Sequence, residues 1–239
     1  RRIFPDAHIS LHTRGWAEGI FADADFIDEI LTFEKEKNSI ETVRKQAKVW
    51  RDEKFDLAIL FTNSFQTALL SKLGRIKKRF GYKNEGRSFL LTNSFEKPSW
   101  KNEKHEIYYY LNLIAEVEKH YFETQTVLDR EIKFELEVSD DRRKAARGIL
   151  GNHQIDLTKK IIAFGVGSTN SRAKRWQTES FAKLNDLLQS EFDANVILIG
   201  SEDEIDVSNE VLDKSVNKPI NLAGKTSLSE VVAILSEVD

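Results

Sequence analysis

Apolar residues follow two different spacings along this chain. Short apolar runs, typical of strands buried in a parallel sheet, alternate with longer segments in which apolar residues recur every three or four positions, as on one face of a helix. The short runs predict strands at 9–12, 26–31, 56–61, 79–82, 161–164, 195–199 and 220–222. The longer segments predict helices at 39–51, 66–73, 105–118, 140–150, 203–212 and 227–238, with a further helix capped at its start by Thr178.

Side-chain chemistry adds detail to two of these helices. Ser227 and Glu230 are spaced as a capping box, which fixes the start of the last helix. In the helix at 105–118, one face is predicted to be buried, and its residues are Ile107, Leu111, Ile114 and Ala115.

Strands that alternate with helices predict an α/β fold, in which parallel sheets carry helices on both faces. Two such series are present, and they join near residues 139–158. We therefore predict an N-terminal domain at 1–145 and a C-terminal domain at 146–239. Residues 1–4 read as the end of a helix and the chain stops where another strand is expected, so both domains are expected to be incomplete here.

The composition is that of an ordinary globular protein, with 40% hydrophobic and 31% charged residues. No apolar run reaches the length of a membrane span, and no signal-peptide pattern opens the chain. The chain has no cysteine, which excludes disulfides and thiolate chemistry. A cytoplasmic location is the resulting expectation.

Charge is distributed unevenly. The net charge of −3 argues against a general nucleic-acid binder. Residues 72–87 nevertheless carry +6, so the rest of the chain carries −9. This basic run is either a surface that binds an anion or simply a solvated face.

The stretch 161–176 is the strongest candidate for chemistry. A buried strand is followed by small residues and two cations, Lys174 and Arg175. Glycines let backbone N–H groups approach an anion, so the loop is typical of a phosphate cradle, although Gly and Ser also occur in ordinary strand-to-helix connections. The spacing from Gly167 to Lys174 does not fit a P-loop, and Asn170 stands where a dinucleotide fingerprint needs glycine.

Motifs spread over the whole chain resemble the ADP-heptose:lipopolysaccharide heptosyltransferases, a family of inverting glycosyltransferases, and in particular the heptosyltransferase II type. The matching segments are Phe4-Pro5-Asp6-Ala7, Arg14-Gly15-Trp16-Ala17, 55–60 with Asn63-Ser64-Phe65, Arg79-Phe80-Gly81-Tyr82 with Glu85-Gly86-Arg87, Ala173-Lys174-Arg175-Trp176, and 221–228. The chain departs from the family pattern at Thr62, Val166 and Gln177, where proline, Pro-Gly and proline are usual.

The resemblance implies two facing Rossmann-like domains of the GT-B type, with the nucleotide sugar on the second and the acceptor mainly on the first. It implies catalysis without a metal, and an aspartate base that would lie upstream of residue 1. The five histidines show no metal-ligand spacing, so no metal site and no cofactor are expected. An ADP-sugar would serve as co-substrate.

By the same resemblance, Lys174 is the cation at the donor diphosphate, where it would offset charge on the departing nucleotide. Glu204 matches an acidic position at the donor ribose, although Glu202 and Asp203 compete with it. The full set of predicted donor-binding residues is Gly165, Gly167, Ser168, Thr169, Asn170, Lys174 and Glu204. The predicted acceptor-binding residues are Asn63, Ser64, Lys83 and Arg87.

The leading hypothesis is transfer of a heptose, or a related sugar, from an ADP-sugar to an anionic lipid-linked saccharide of the lipopolysaccharide inner-core type. Peripheral contact with the cytosolic face of the inner membrane is a further option, and nucleic acid is not an expected partner. Two alternatives stay open on the sequence alone: a sugar-nucleotide-binding protein without catalysis, and an unrelated α/β nucleotide-dependent enzyme.

Overall fold

The computed structural model describes residues 1–33, 38–84, 86–132, 135–168 and 171–239. Packing divides the chain into two compact units: the first holds residues 1–7 and 33–134, and the second holds 8–32 and 135–239. The boundary predicted between residues 145 and 146 falls inside a helix that belongs wholly to the second unit. Among the described helices, none is both long and apolar enough to cross a membrane.

The first unit is built on a parallel sheet of three strands in the order β3-β4-β5. Its strands are β3 (Leu57–Leu60), β4 (Lys78–Tyr82) and β5 (Asn93–Phe95). Its helices are α1 (Ser39–Asp52), α2 (Phe65–Leu73) and α3 (Glu106–Phe122). Strand β5 was not predicted, because three residues are too few to show a periodicity.

Side chains of β4 alternate between two layers of helices. Tyr82 packs with Tyr109 and Leu113 of α3, while Gly81 lies on the other face near Leu60 and Leu91. The predicted inner face of α3 is wrong in part: Ala115 is fully buried as predicted, but Ile107, Leu111 and Ile114 are only half-buried. The other fully buried residues of this helix are Tyr109, Leu113 and Val117. The inner face includes Tyr109 because a tyrosine can be buried when its hydroxyl is hydrogen-bonded, which the pattern of purely apolar residues does not show.

The second unit repeats this plan with the order β6-β7-β8, all parallel. Its strands are β6 (Ile161–Gly165), β7 (Asn195–Ile199) and β8 (Ile220–Asn221). Its helices are α4 (Asp140–Asn152), α5 (Thr178–Phe192), α6 (Ile205–Lys214) and α7 (Leu228–Leu235). Gln177, and not Thr178 as predicted, occupies the N-cap of α5.

Two apolar clusters cover the two faces of this second sheet. Ile197 points to the side of α4 and α7, where Leu150 and Ile234 are also fully buried. Its neighbours Val196 and Leu198 point to the other side, toward α5 and α6. Burying apolar side chains on both faces is what makes the strands continuous hydrophobic runs, and the predicted α/β class is confirmed.

Residues 8–32 add a short sheet to the second unit, formed by β1 (Ser10–Arg14) and β2 (Glu29–Phe33). Arg142 of α4 fastens this segment: its Nη1 lies 2.7 Å from Asp23 Oδ2, and its Nη2 donates to the carbonyls of Gly19 and Ser229 at 2.9 and 2.8 Å. The backbone N–H of Ser139 and the Arg142 guanidinium together hold the pKa of Asp23 below its usual range. Residues 1–4, predicted as the end of a helix, form none in the structure.

Candidate functional site

The carboxyl ends of β6, β7 and β8 lie side by side at one edge of the second sheet. The segments that follow these strands are 165–168, 200–204 and 222–227. Because β7 is the central strand, the segment 200–204 lies between the other two. The backbone N–H of Gly224 donates to the carbonyl of Gly200 at 2.9 Å, which joins two of these loops. Open α/β sheets bind ligands at this edge.

Gly167 and Glu204 meet at this edge in unusually close contact. A Cβ built on Gly167 would lie 2.2 Å from Cδ of Glu204, so any other residue at 167 would displace that carboxylate. Gly165 is different, since a Cβ there would meet nothing within 4 Å. Of the two predicted donor glycines, only Gly167 is therefore required for a close approach.

Glu204 is held by a capping box at the start of the 3₁₀ helix Glu202–Glu204. Its Oε2 accepts from the backbone N–H of Ser201 at 2.9 Å and from Oγ of Ser201 at 3.1 Å. The contact with Gly167 involves the other oxygen, Oε1. Glu202 and Asp203 are exposed, so the structure places Glu204, among the three competing acids, against the loop after β6.

Arg175 connects the loop after β6 to the short 3₁₀ helix Arg172–Lys174. Its Nη2 donates to the carbonyl of Ser168 at 3.1 Å, and its Nε is buried without a hydrogen-bond partner among the described residues. The side chain of Lys174 is exposed and makes no recorded ion pair within the described part of the chain. It stands four residues before α5, where the helix dipole gives a cation no stabilisation.

Thr169 and Asn170, both predicted to bind the donor, lie outside the described residues. Within the parts of the chain that are described, no cluster of three or more His, Asp or Glu side chains could hold a metal ion. The expectation of a reaction without metal or cofactor stays a prediction.

In the first unit, the loop 62–64 after β3 carries the predicted acceptor residues Asn63 and Ser64. The amide Nδ2 of Asn63 donates to the hydroxyl of Tyr109 at 2.8 Å. Ser64 caps α2, since its Oγ accepts from the backbone N–H of Thr67 at 3.2 Å. Asn63 is half-buried and Ser64 is exposed.

Arg87 was predicted to contact the acceptor from the surface, and the structure corrects this prediction. Its side chain is 0% exposed. Its Nε donates to the carbonyl of Tyr82 at 2.9 Å, its Nη1 to the carbonyls of Thr62 and Ser64 at 2.5 and 3.3 Å, and its Nη2 to Oδ1 of Asn63 at 3.2 Å. Arg87 therefore fixes the loop 62–64 from beneath, because burying a guanidinium is costly unless its N–H groups are hydrogen-bonded.

The basic run 72–87 does not form one face, which is a second correction. Arg79 is half-buried and donates from Nε to the carbonyl of Leu90 at 2.8 Å. Lys72, Arg75 and Lys77 are exposed near the amino end of β4, whereas Lys83 follows its carboxyl end and pairs with Glu96. Five strand residues separate the two ends by roughly 15 Å, and the burial of Arg87 divides the charge further.

Two tyrosines that sequence reasoning missed, Tyr82 and Tyr109, complete the support of the loop 62–64. The rings of Tyr82 and Tyr109 stack at 4.4 Å, and the Tyr82 hydroxyl donates to the carbonyl of Tyr109 at 2.8 Å. Burial raises the pKa of Tyr82 to about 12 and also raises the pKa of Tyr109, so both hydroxyls remain neutral. The sequence signal for a buried tyrosine was the run Tyr108-Tyr109-Tyr110. Successive residues of a helix point in different directions, so a run of three is expected to place one tyrosine on the inner side.

Residues 43–239 match the sequence model of glycosyltransferase family 9 (heptosyltransferase). Among curated relatives, the lipooligosaccharide heptosyltransferase 2 of Haemophilus ducreyi is 23% identical over 252 residues, covering 99% of this chain and 68% of the relative. The lipopolysaccharide heptosyltransferase 2 of Escherichia coli is 24% identical over 243 residues, covering 98% and 67%. The chain thus spans about two thirds of the length of these relatives.

Two solved structures share the fold. The ADP-heptose lps heptosyltransferase II of Escherichia coli superposes with a TM-score of 0.80 at 23% identity, covering 98% of this chain and 69% of that one. A glycosyl transferase family 9 protein from Veillonella parvula superposes with a TM-score of 0.83 at 19% identity, covering 98% and 66%. Both support the predicted GT-B class of α/β fold.

Proposed function

Because the chain belongs to glycosyltransferase family 9 (heptosyltransferase), we propose that it transfers a heptose, or a related sugar, from an ADP-sugar to an acceptor of the lipopolysaccharide inner-core type. The membership itself establishes a glycosyltransferase. The donor nucleotide, the inversion at the anomeric carbon, the absence of a metal and the identity of the acceptor belong to the proposal.

The observation that supports it most is the contact between Gly167 and Glu204 at the carboxyl ends of β6 and β7. A carboxylate fixed through one oxygen by Ser201 keeps its second oxygen at the edge where a nucleotide would lie. Carboxylates in this position of α/β folds accept hydrogen bonds from ribose hydroxyls. We therefore assign Glu204 to the donor ribose.

The chemical step needs stabilisation of the leaving group more than anything else. An acceptor hydroxyl attacks the anomeric carbon, the bond from that carbon to the phosphate oxygen breaks, and ADP leaves with the electron pair. Lys174, an exposed cation with no recorded ion pair among the described residues, would offset the charge that grows on the diphosphate. The proton of the acceptor hydroxyl passes to a base, and the products are the glycosylated acceptor and ADP.

The acceptor is assigned to the loop 62–64 of the first unit. Asn63 and Ser64 lie in this loop, directly after β3. Arg87 and Tyr109 hold the loop in one conformation by hydrogen bonds. An anionic lipid-linked saccharide would be recognised here by hydrogen bonds and by Lys83, whose pairing with the exposed Glu96 is worth little in water. A cytoplasmic location, with contact at the cytosolic membrane face, is part of this proposal.

Calorimetric titration of the full-length protein with ADP, UDP and GDP tests the donor, in buffer that contains EDTA. We expect ADP to bind at least tenfold more tightly than the other two. Incubation with ADP-heptose and a heptose-deficient inner-core acceptor should then release ADP. Binding of ADP without any transfer would favour a non-catalytic binder, and preference for another nucleotide would favour a different α/β enzyme.

A further inference from the structure

One surface of the first unit combines exposed apolar side chains with positive charge. It consists of the outer side of α2, the residues directly after this helix, and the 3₁₀ helix Arg87–Leu90. We call it the α2 face, and its residues are Phe65, Lys72, Leu73, Arg75 and Phe89.

The apolar part of the α2 face is large for a single short helix. The inner side of α2 is buried through Ala68 and Leu70, as expected for packing on the sheet. On the outer side, Phe65 is 38%, Leu73 42% and Phe89 68% exposed. The rings of Phe65 and Phe89 lie 6.1 Å apart, so their exposed surfaces adjoin. Exposed apolar surface of this kind marks an interaction site more often than an isolated exposed residue does.

The charge on this face is not balanced by acids in the surrounding sequence. Between Leu57 and Asn84 the chain has six lysines and arginines and no aspartate or glutamate. Lys72 Nζ stands 5.7 Å from the centre of the Phe89 ring, so cation and aromatic ring share one surface. Arg75 is exposed just beyond the end of α2. The α2 face is therefore both apolar and positive.

We infer that the α2 face binds the surface of an anionic lipid bilayer. Aromatic and leucine side chains enter the boundary between headgroups and acyl chains, while lysine and arginine meet the anionic headgroups. A second copy of this chain fits less well, because a self-complementary interface would bring like charges together. The choice of lipid over an acidic protein rests on the proposed function, in which the acceptor is lipid-linked.

The position of the face agrees with this assignment. Helix α2 begins at Phe65, directly after the loop 62–64 that is proposed to receive the acceptor. A bilayer lying along α2 would therefore be adjacent to that loop. Within the α2 face, Phe65 is the residue nearest the loop, and the cations Lys72 and Arg75 lie toward the other end of the helix.

Flotation of the full-length protein with vesicles tests the inference without any glycosyl transfer. The vesicles contain phosphatidylglycerol and phosphatidylcholine in equal parts, with phosphatidylcholine alone as reference. We expect binding to the mixed vesicles only. K72Q/R75Q should weaken it by roughly 30-fold, since each juxtamembrane cation contributes a factor of about 5, and F89S by about tenfold.

Matched controls lie on the same unit outside the α2 face. K104Q/K119Q removes two exposed lysines, one of which also stands over an aromatic ring, and F122S removes an exposed phenylalanine. These variants should bind vesicles as the wild type does. Equal loss in the controls, binding to phosphatidylcholine alone, or no binding at all would overturn the inference.

Two further outcomes separate this inference from the proposed function. Self-association that F89S abolishes, in the absence of lipid, would assign the face to a second copy instead. Vesicle binding without release of ADP from ADP-heptose would support lipid binding by the α2 face and refute the proposed transfer. Turnover of a delipidated acceptor should be unchanged in F89S.

Discussion

After β3 in the first unit and after β6 in the second, the chain leaves the carboxyl end of a parallel strand and passes into a helix. The loop 62–64 is filled from beneath by Arg87 and Tyr109, which bind its carbonyls and the Asn63 amide. We call the described residues 165–168 and 171–174 after β6 the open loop, because Gly167 leaves room for Glu204 and the side chain of Lys174 is exposed.

This difference separates two ways of making a binding site on one architecture. A loop that must present side chains in a fixed orientation benefits from internal hydrogen bonds that leave few alternatives. A loop that must receive a charged group benefits from missing side chains and from a cation whose charge the protein does not neutralise. The first strategy fits a saccharide acceptor, and the second fits a diphosphate.

The largest expected effect comes from Lys174, the cation of the open loop. Lys174→Ala should lower kcat by about 100- to 1000-fold, the range found when one stabilising group is removed from a transition state. Its free energy of unfolding should not change, because the side chain is exposed. Steady-state assays and urea unfolding measure the two quantities, with Lys183→Ala of α5 as control. A variant with wild-type kcat would remove Lys174 from the site.

The filled loop predicts the opposite result for Arg87, a large loss of stability. Arg87→Lys leaves several of the four oxygen acceptors unpaired and should lower the free energy of unfolding by about 2–3 kcal/mol. Hydrogen exchange should accelerate in segment 61–67. Arg79→Lys is the matched control, since this arginine also donates to backbone carbonyls but near the other end of β4. Equal acceleration of segment 61–67 in both variants would contradict the assigned role.

A smaller effect distinguishes the two glycines of the open loop. Gly167→Ala should raise KM for the donor by roughly tenfold, because the new Cβ displaces Glu204 and breaks a capping box worth about 1 kcal/mol. Gly165→Ala should leave KM within about twofold, since its Cβ meets open space. Similar KM values for the two variants would show that Glu204 does not act on the donor.

The smallest effect concerns pH and the helix that carries Tyr109. Glu118 of α3 accepts from Thr126 Oγ1 at 2.5 Å, Val127 N at 3.0 Å and Thr124 Oγ1 at 3.0 Å. The hydrogen bond from Thr126, with the others, lowers the pKa of Glu118 from 4.5 to about 2. Because the folded pKa is depressed, this stabilisation is complete above pH 4.5 and is lost as the pH falls toward about 2.

Urea unfolding from about pH 6 down to about pH 2 checks this pH dependence of stability, because that range covers the ordinary and the lowered pKa of Glu118. Glu118→Gln should flatten the pH dependence, because the amide does not titrate. Glu116→Gln on the same helix, whose carboxylate accepts a hydrogen bond from Gln125, serves as control. An unchanged slope in Glu118→Gln would exclude this carboxylate as the cause.

Much of the fold could be predicted because it depends on near neighbours in the chain. The strand β7 was predicted with its observed bounds, and the capping box of Ser227 and Glu230 is present. Errors arose where a short segment or a polar group overrode the apolar pattern. Strand β5 has only three residues, and Tyr109 is buried through its hydroxyl contacts as well as its ring.

The sequence by itself determined the α/β class, the order of the elements, the family resemblance and the candidate residues at the strand ends. Only the tertiary structure decided that Arg87 lies beneath a loop, that Glu204 meets Gly167, and that the basic run is divided. The reason is physical: periodicity and capping act over a few residues, whereas Arg87 bonds Thr62 across 25 positions of the chain. Whether a charge is exposed or buried is set by such distant partners.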